Sequence, residues 1–190
     1  MKKIFLVVLF SALFSVSSYA AVAIPQPFNI DIDLSYLDGE ADDGFDEEDE
    51  ELWTIGVSYY FGPVDPSNGP WAEAAFLEQA SHIGFRYSDG EFDTSPSLDY
   101  DQWSIDGRFV HTPTGLFISG GYGDGEIEGN GFADETDIEN YRIEIGSYVT
   151  PHTTVALQYG EEELEEAGDN LEYETIAVRA KHVGNFSGLG

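Results

Sequence analysis

The sequence predicts an all-β protein: an antiparallel transmembrane β-barrel of at least eight strands. Three observations predict it. Apolar and polar residues alternate strictly over segments of roughly ten residues, the period of a strand with two unlike faces. The connections alternate between short proline-bearing turns and longer acidic stretches, as the two rims of an outer-membrane barrel do. Every Lys and Arg beyond position 3 lies on the polar side of an alternating segment: Arg86, Arg108, Arg142, Arg179 and Lys181. A wall with water on one face and something apolar on the other accounts for all three.

The chain opens with an export signal over residues 1–20, and the barrel domain occupies 21–190. Lys2 and Lys3 give a positive start, Ile4 to Phe14 an apolar run, and Ser18-Tyr19-Ala20 the small residues of a cleavage site. Ala21-Val22-Ala23 offers a second site. The apolar run is shorter than the roughly 20 residues a spanning helix needs, and no later segment approaches that length.

The strands follow in order. Phe28, Ile30, Ile32, Leu34 and Tyr36 alternate with Asn29, Asp31, Asp33 and Ser35; Trp53, Ile55, Val57, Tyr59 and Phe61 alternate with Thr54, Gly56, Ser58 and Tyr60. Ile83, Phe85 and Tyr87 oppose Gly84 and Arg86, and Trp103, Ile105 and Phe109 oppose Asp106 and Arg108. Leu116, Ile118 and Tyr122 oppose Ser119 and Gly121; Tyr141, Ile143 and Ile145 oppose Arg142 and Glu144. Val155, Leu157 and Tyr159 oppose Gln158 and Gly160, and Ile176 and Val178 oppose Arg179 and Lys181. Between the second and third strands the pattern breaks. After turn residues from Pro63 to Pro70, the run Trp71-Ala72-Glu73-Ala74-Ala75-Phe76-Leu77 is rich in helix formers, and Pro70 suits a first helical turn. A short periplasmic helix near 70–80 is expected, unless Phe76 already begins the third strand.

Gly39–Glu51, Ser88–Leu98, Asp124–Asp137 and Glu161–Asn170 read as long acidic loops on one rim. His111-Thr112-Pro113-Thr114-Gly115 and Thr150-Pro151-His152-Thr153 read as short turns on the other. Tyr36, Trp53, Tyr87, Trp103, Tyr122, Tyr141 and Tyr159 then fall near the outer ends of the apolar face, and Phe28, Tyr59, Phe61 and Phe109 near the inner ends. Those are the two interfacial girdles of a membrane barrel. A soluble lipocalin-like barrel or sandwich would place its aromatics without regard to strand ends.

Charge narrows the function. Removing Lys2 and Lys3 leaves 5 basic against 37 acidic residues, a net charge of −32. Nucleic acid is excluded as a partner, for no basic stripe exists to displace counterions. There is no cysteine, hence no disulfide framework and no thiolate chemistry. Three Trp, 11 Tyr and 13 Phe separate the chain from acidic disordered sequences. The four histidines have neither zinc spacing nor a partner near the outer rim, so no enzyme and no cofactor is expected. The loop residues Asp42, Asp43, Asp46, Glu47, Glu48 and Asp49 offer a weak divalent-cation loop, without EF-hand spacing.

Tyr59-Tyr60-Phe61-Gly62-Pro63-Val64-Asp65, then Gly69-Pro70-Trp71-Ala72-Glu73-Ala74-Ala75-Phe76-Leu77 and Ala80-Ser81, resemble the putative general bacterial porins of Gram-negative outer membranes. The resemblance implies an outer-membrane barrel carrying small hydrophilic solutes by passive diffusion, and it brings no catalytic residue. The polar face supplies the expected lining: basic Arg86, Arg108, Arg142, Arg179 and Lys181 against acidic Asp31, Asp33, Asp106 and Glu144. The acidic loops would make the channel cation-leaning and bind lipopolysaccharide through shared divalent ions. The alternative is a small closed barrel with a structural or surface-interaction role, since eight strands leave an interior that side chains just fill. The turn-like ending Asn185–Gly190 leaves strand number open, and oligomeric state is unassigned.

Overall fold

The computed structural model describes residues 26–42, 47–93, 97–129, 136–166 and 169–184. The expected signal segment 1–20 lies outside them. Eight strands, β1 Phe28–Asp42, β2 Glu47–Val64, β3 His82–Asp93, β4 Leu98–His111, β5 Leu116–Gly129, β6 Thr136–Thr150, β7 Thr153–Glu166 and β8 Asp169–His182, form one antiparallel sheet in chain order. The insert between β2 and β3 contains two 3₁₀ turns, Pro66–Asn68 and Trp71–Glu73, and then the short helix α1, Ala74–Leu77. Asp65 caps the first turn, its carboxylate accepting from the Ser67 N–H at 2.9 Å. A bond from the Ser67 hydroxyl, together with that one, holds the carboxyl below its ordinary range.

The acidic stretches expected as long loops are strand. Pairing runs on to Asp42↔Glu47, Phe92↔Leu98, Leu98↔Gly129, Ile127↔Thr136 and Glu166↔Asp169. The strands are 12 to 18 residues long, where about 9–11 suffice to cross a bilayer. The alternation never stops beyond the aromatic girdle; the two faces exchange character. On the outer face, Asp38, Glu51, Asp89, Asp101, Asp124, Glu139, Glu161 and Glu174 stand two residues beyond the last apolar position of each strand. On the inner face, Leu37, Leu52, Phe92, Tyr100, Ile127, Ile138, Leu164 and Tyr173 follow the polar lining, with Glu50 and Glu162 among them. Composition had suggested loops because carboxylates are poor strand formers, but here they occupy mainly the water-facing half of the pleat.

The sheet is rolled. Eight strands about 4.8 Å apart would put β1 about 34 Å from β8 if flat. Yet Trp71, stacked on Phe28 of β1 at 5.2 Å between ring centroids, is two residues from Glu73, which pairs with Lys181 of β8 at 2.6 Å. The insert therefore lies inside the short-turn rim, touching opposite walls. Val64, Tyr60 and Ala74 form one buried cluster there, and Val110, Phe117 and Ala156 a second, with Tyr148 packed against it. The Tyr148 hydroxyl donates to the Phe76 carbonyl at 3.1 Å, and the two rings meet at 5.2 Å. Phe28 was expected in the inner girdle. A register shift between Phe28 and Ile30 instead turns it toward Tyr60 and Trp71, the usual effect of a bulge.

Among the described residues no ladder joins β1 to β8. The outer faces of these two strands are correspondingly bare: Leu34, Ile176 and Val178 are 76–77% exposed, against 39–43% for Ile55, Ile105 and Ile143 on inner strands of the sheet.

Candidate functional site

The inner face of the membrane-level sheet carries the charged residues that sequence singled out, and most of them converge. A cavity of about 220 Å³ is lined by His82, Asp106, Arg108, Ser119, Arg142, Glu144, Gln158 and Arg179, with backbone at Gly107 and Gly120. His82 Nε2 lies 3.1 Å from Asp106 Oδ2, and Arg142 and Arg86 are near enough to act on the same carboxylate. Arg179 Nη1 donates to Gln158 Oε1 at 3.0 Å and lies 3.7 Å from Glu144 Oε2, which shares its carboxylate with the Ser119 hydroxyl at 3.4 Å. The cations are not neutralised one for one: Arg86 and Arg142 remain exposed, and the Arg179 side chain is 60% exposed.

Two basic residues do other work. Arg108 lays its guanidinium over the Phe117 ring at 3.7 Å, with Tyr148 at 5.6 Å, a cation–π seat. Lys181 reaches the insert, pairing with Glu73 and lying over the Phe76 ring at 4.7 Å. Asp31 and Asp33 sit on β1 at the other side of the sheet, away from the cavity. The Asp33 carboxylate occupies the space where a side chain at Gly56 would stand, so that glycine makes room for it.

The outer face carries the aromatics. Tyr36, Trp53, Tyr59, Phe61, Trp103, Phe109, Tyr122 and Tyr141 are exposed there, and Tyr87 and Tyr159 half-buried. Their register records the tilt of a rolled sheet. Tyr36 faces Trp53, Tyr87 faces Trp103 and Tyr122 faces Tyr141. At the intervening interfaces the ring of aromatics steps by two residues, so Trp53 faces Asp89, Trp103 faces Asp124 and Tyr141 faces Glu161. Each of these three pairs is hydrogen-bonded. Trp53 Nε1 donates to Asp89 at 2.7 Å, Trp103 Nε1 to Asp124 at 3.2 Å, and the Tyr141 hydroxyl to Glu161 at 2.6 Å. Tyr159 also donates to Glu161, at 2.9 Å. These hydroxyls hold the Glu161 carboxyl below its ordinary range.

This ring was not among the expected features, although its signal lies in the sequence: an aromatic and an acid two residues apart, as in Tyr87-Ser88-Asp89, Asp101-Gln102-Trp103 and Tyr159-Gly160-Glu161. Equally unexpected, carboxylates oppose carboxylates across the outer wall, as at Glu51↔Glu91, Asp101↔Glu126, Asp99↔Glu128, Asp137↔Glu165 and Glu163↔Glu172. Among the described residues, Glu161, Glu172 and Glu174 bring ligand atoms within 4.8 Å of one another. In the expected cation loop, Asp43 and Asp46 lie outside the described residues; Asp42, Glu47, Glu48 and Asp49 are placed only as paired strand backbone.

The chain is similar to the outer membrane protein Omp33 of Acinetobacter baumannii, known from a crystal structure, at 16% identity over 82% of this chain and 98% of that one. The TM-score of that superposition is 0.25, and the fold described above rests on the strand ladders alone. No curated protein matches. The family model described as "Putative general bacterial porin" matches residues 1–184, nearly the whole chain, and this protein belongs to that family of Gram-negative outer-membrane β-barrels.

Proposed function

We propose that this protein is a porin-like channel for small hydrophilic solutes, with a preference for cations. The observation that carries the reading is the set of Arg142, Arg179, Asp106 and Glu144 around a cavity on the inner face, opposite an apolar stripe on the outer face. Charged side chains lining a polar interior are what a diffusion channel presents to solutes. The cation preference is supported by the net charge rather than by the lining, which is mixed. Carboxylates on the outer wall raise the local cation concentration at the mouth, over a distance of about 8 Å at physiological salt. Reversal potentials in a KCl gradient across planar bilayers test it. Cation preference that fades as ionic strength rises is the expected result, and anion preference would sink it.

A second reading is favoured by the insert. Its seat inside the short-turn rim, held by Phe28, Tyr148 and Lys181, supports a small closed barrel with a structural or surface role. Absence of any conductance from correctly folded protein would select it.

The outer wall supports lipopolysaccharide as a partner through divalent cations. Like charges directly opposite destabilise a sheet by roughly 0.2–1 kcal/mol per pair, and anionic headgroups cannot relieve that repulsion without a bridging cation. Glu161, Glu172 and Glu174 are the best-gathered candidates for holding one. Chelation should therefore lower the unfolding temperature in lipopolysaccharide-containing vesicles, and added Mg²⁺ should restore it. No change on chelation would remove this partner.

A further inference from the structure

Three guanidiniums, those of Arg108, Arg142 and Arg179, line the 220 Å³ cavity with only two carboxylates, Asp106 and Glu144. With His82 neutral, the lining carries a surplus of one positive charge in a chain whose formal net charge is −30. Both carboxylates are already engaged. Asp106 faces His82 at 3.1 Å, and Glu144 takes Ser119 at 3.4 Å and Arg179 at 3.7 Å. The surplus therefore falls on Arg142 and Arg108. Arg142 and Asp106 stand on either side of Gly121 in the ladder, and a Cβ there would lie 3.5 Å from both Arg142 Nε and Asp106 Cβ. Among the described residues Arg142 makes no hydrogen bond and no ion pair. Arg108 rests its face on Phe117, and its Nε and Nη2 are buried without a partner. Those two N–H groups form one edge of the guanidinium fork, which binds a carboxylate through two parallel bonds.

We propose that this cavity is a subsite for the carboxylate of a small zwitterionic solute, of the kind and size of an α-amino acid. One surplus positive charge matches one carboxylate and falls short of a phosphate group, which carries about −1.5 to −2. Asp106 and Glu144 supply acceptors for an ammonium at the other end of the same solute. The cavity has room for about seven waters at roughly 30 Å³ each, and so for a solute of about as many heavy atoms. The outer wall adds a second filter. Its carboxylates repel a solute of net negative charge and leave a zwitterion unopposed. Mere neutralisation of a closed interior does not account for the arrangement. It would give each arginine an acid, whereas here Arg142 is unpaired, and the orphaned edge of Arg108 is a cost until an acceptor meets it.

The solute's route to the subsite rests on the channel reading, and the experiment separates the two. Saturation-transfer NMR on folded protein in detergent micelles measures binding of L-threonine and of L-threoninamide, which lacks the carboxylate. Inorganic phosphate is added as a competitor, and KCl conductance in planar bilayers is recorded in parallel. Wild type is compared with Arg142→Gln, whose folding is checked by heat-modifiable gel mobility. Wild type should bind threonine saturably. Threoninamide on wild type, and threonine on Arg142→Gln, should bind roughly tenfold more weakly or worse, the loss expected for a charged hydrogen bond. Equal binding of threonine and its amide, or no effect of Arg142→Gln in folded protein, overturns the subsite; a conducting wild type then leaves the channel standing. Phosphate that displaces threonine at lower concentration than threonine itself needs marks a general anion site and overturns the zwitterion assignment. Binding as expected without conductance overturns the channel and leaves the subsite. If Arg142→Gln does not fold, the comparison of threonine with threoninamide on wild type decides.

Discussion

The same eight strands build two regions with opposite rules. Below the aromatic ring, Ile, Val, Leu and Phe face outward and Arg, Asp, Glu, Ser and Gly face inward; above it, most Asp and Glu face outward, and Leu, Ile, Phe and Tyr face inward beside Glu50 and Glu162. Pleat, pairing and register run through the boundary unchanged. What changes is the solvent outside the wall. A strand in lipid must place apolar groups outward, and a strand in water must bury them. We propose that Tyr36, Trp53, Tyr87, Trp103, Tyr122, Tyr141 and Tyr159 stand at the membrane surface, with the carboxylates hydrogen-bonded to Trp53, Trp103 and Tyr141 on its aqueous side.

The largest expected effect concerns the exception to the lower region's rule. Its interior is polar except where the insert seats, and there Phe76 is 8% exposed, between Tyr148 and the Lys181 ammonium. Phe76→Ala should cost about 3–5 kcal/mol, measured by urea unfolding from lipid vesicles. A loss under about 1 kcal/mol would mean the insert does not brace the walls.

Next comes a paired substitution across the boundary. Ile143→Arg puts a cation on the lipid face of β6 and should destabilise by about 2–4 kcal/mol. Glu128→Arg, on the outer face of β5 above the ring and opposite Asp99, should be neutral or slightly stabilising, since it replaces a like-charge pair by an opposite one. Equal costs at both positions would abolish the distinction between the two regions.

The boundary itself was only half legible in the sequence. Period-two alternation located all eight strands, and the short turns fell where the proline-bearing segments put them. In the outer halves the dominance of carboxylates points to loops, yet Glu126-Ile127-Glu128, Asp137-Ile138-Glu139 and Leu171-Glu172-Tyr173-Glu174 keep the period with the faces exchanged. The contacts of the insert were not legible at all. Glu73 and Lys181 meet because the sheet rolls, and local patterning carries no measure of curvature. Likewise nothing local distinguishes Arg108, seated on Phe117, from Arg142, open to the cavity; the difference depends on which neighbour the register supplies.

A smaller effect probes the ring. Trp53→Phe keeps the aromatic surface but removes the 2.7 Å bond to Asp89, and its exposure limits the loss to about 0.5–1 kcal/mol. Trp103→Phe, whose bond is longer at 3.2 Å, should lose less in the same unfolding assay. The reverse order would show that these bonds do not set the ring's contribution.

The smallest effect is a pH dependence at one point of that ring. Glu161 accepts from the hydroxyls of Tyr141 and Tyr159, and this lowers its carboxyl from the ordinary value of 4.5. A carboxylate with a depressed folded-state value stabilises the fold above the unfolded-state value, and that stabilisation is lost as pH falls through the folded-state value. The window therefore lies below the ordinary glutamate range and not near neutrality. Glu161→Gln retains an oxygen that accepts from both hydroxyls but cannot titrate. The stability difference between wild type and Glu161→Gln should be constant from neutral pH down to the ordinary range and should shrink below it. Comparing the two proteins cancels the relief of carboxylate repulsion elsewhere on the outer wall, which both share. If the difference instead grows as pH falls, the repulsion of Glu161 by Glu174, its partner across β7 and β8, outweighs the hydroxyl bonds, and the acidic wall is held together by its cations and not by the aromatic ring.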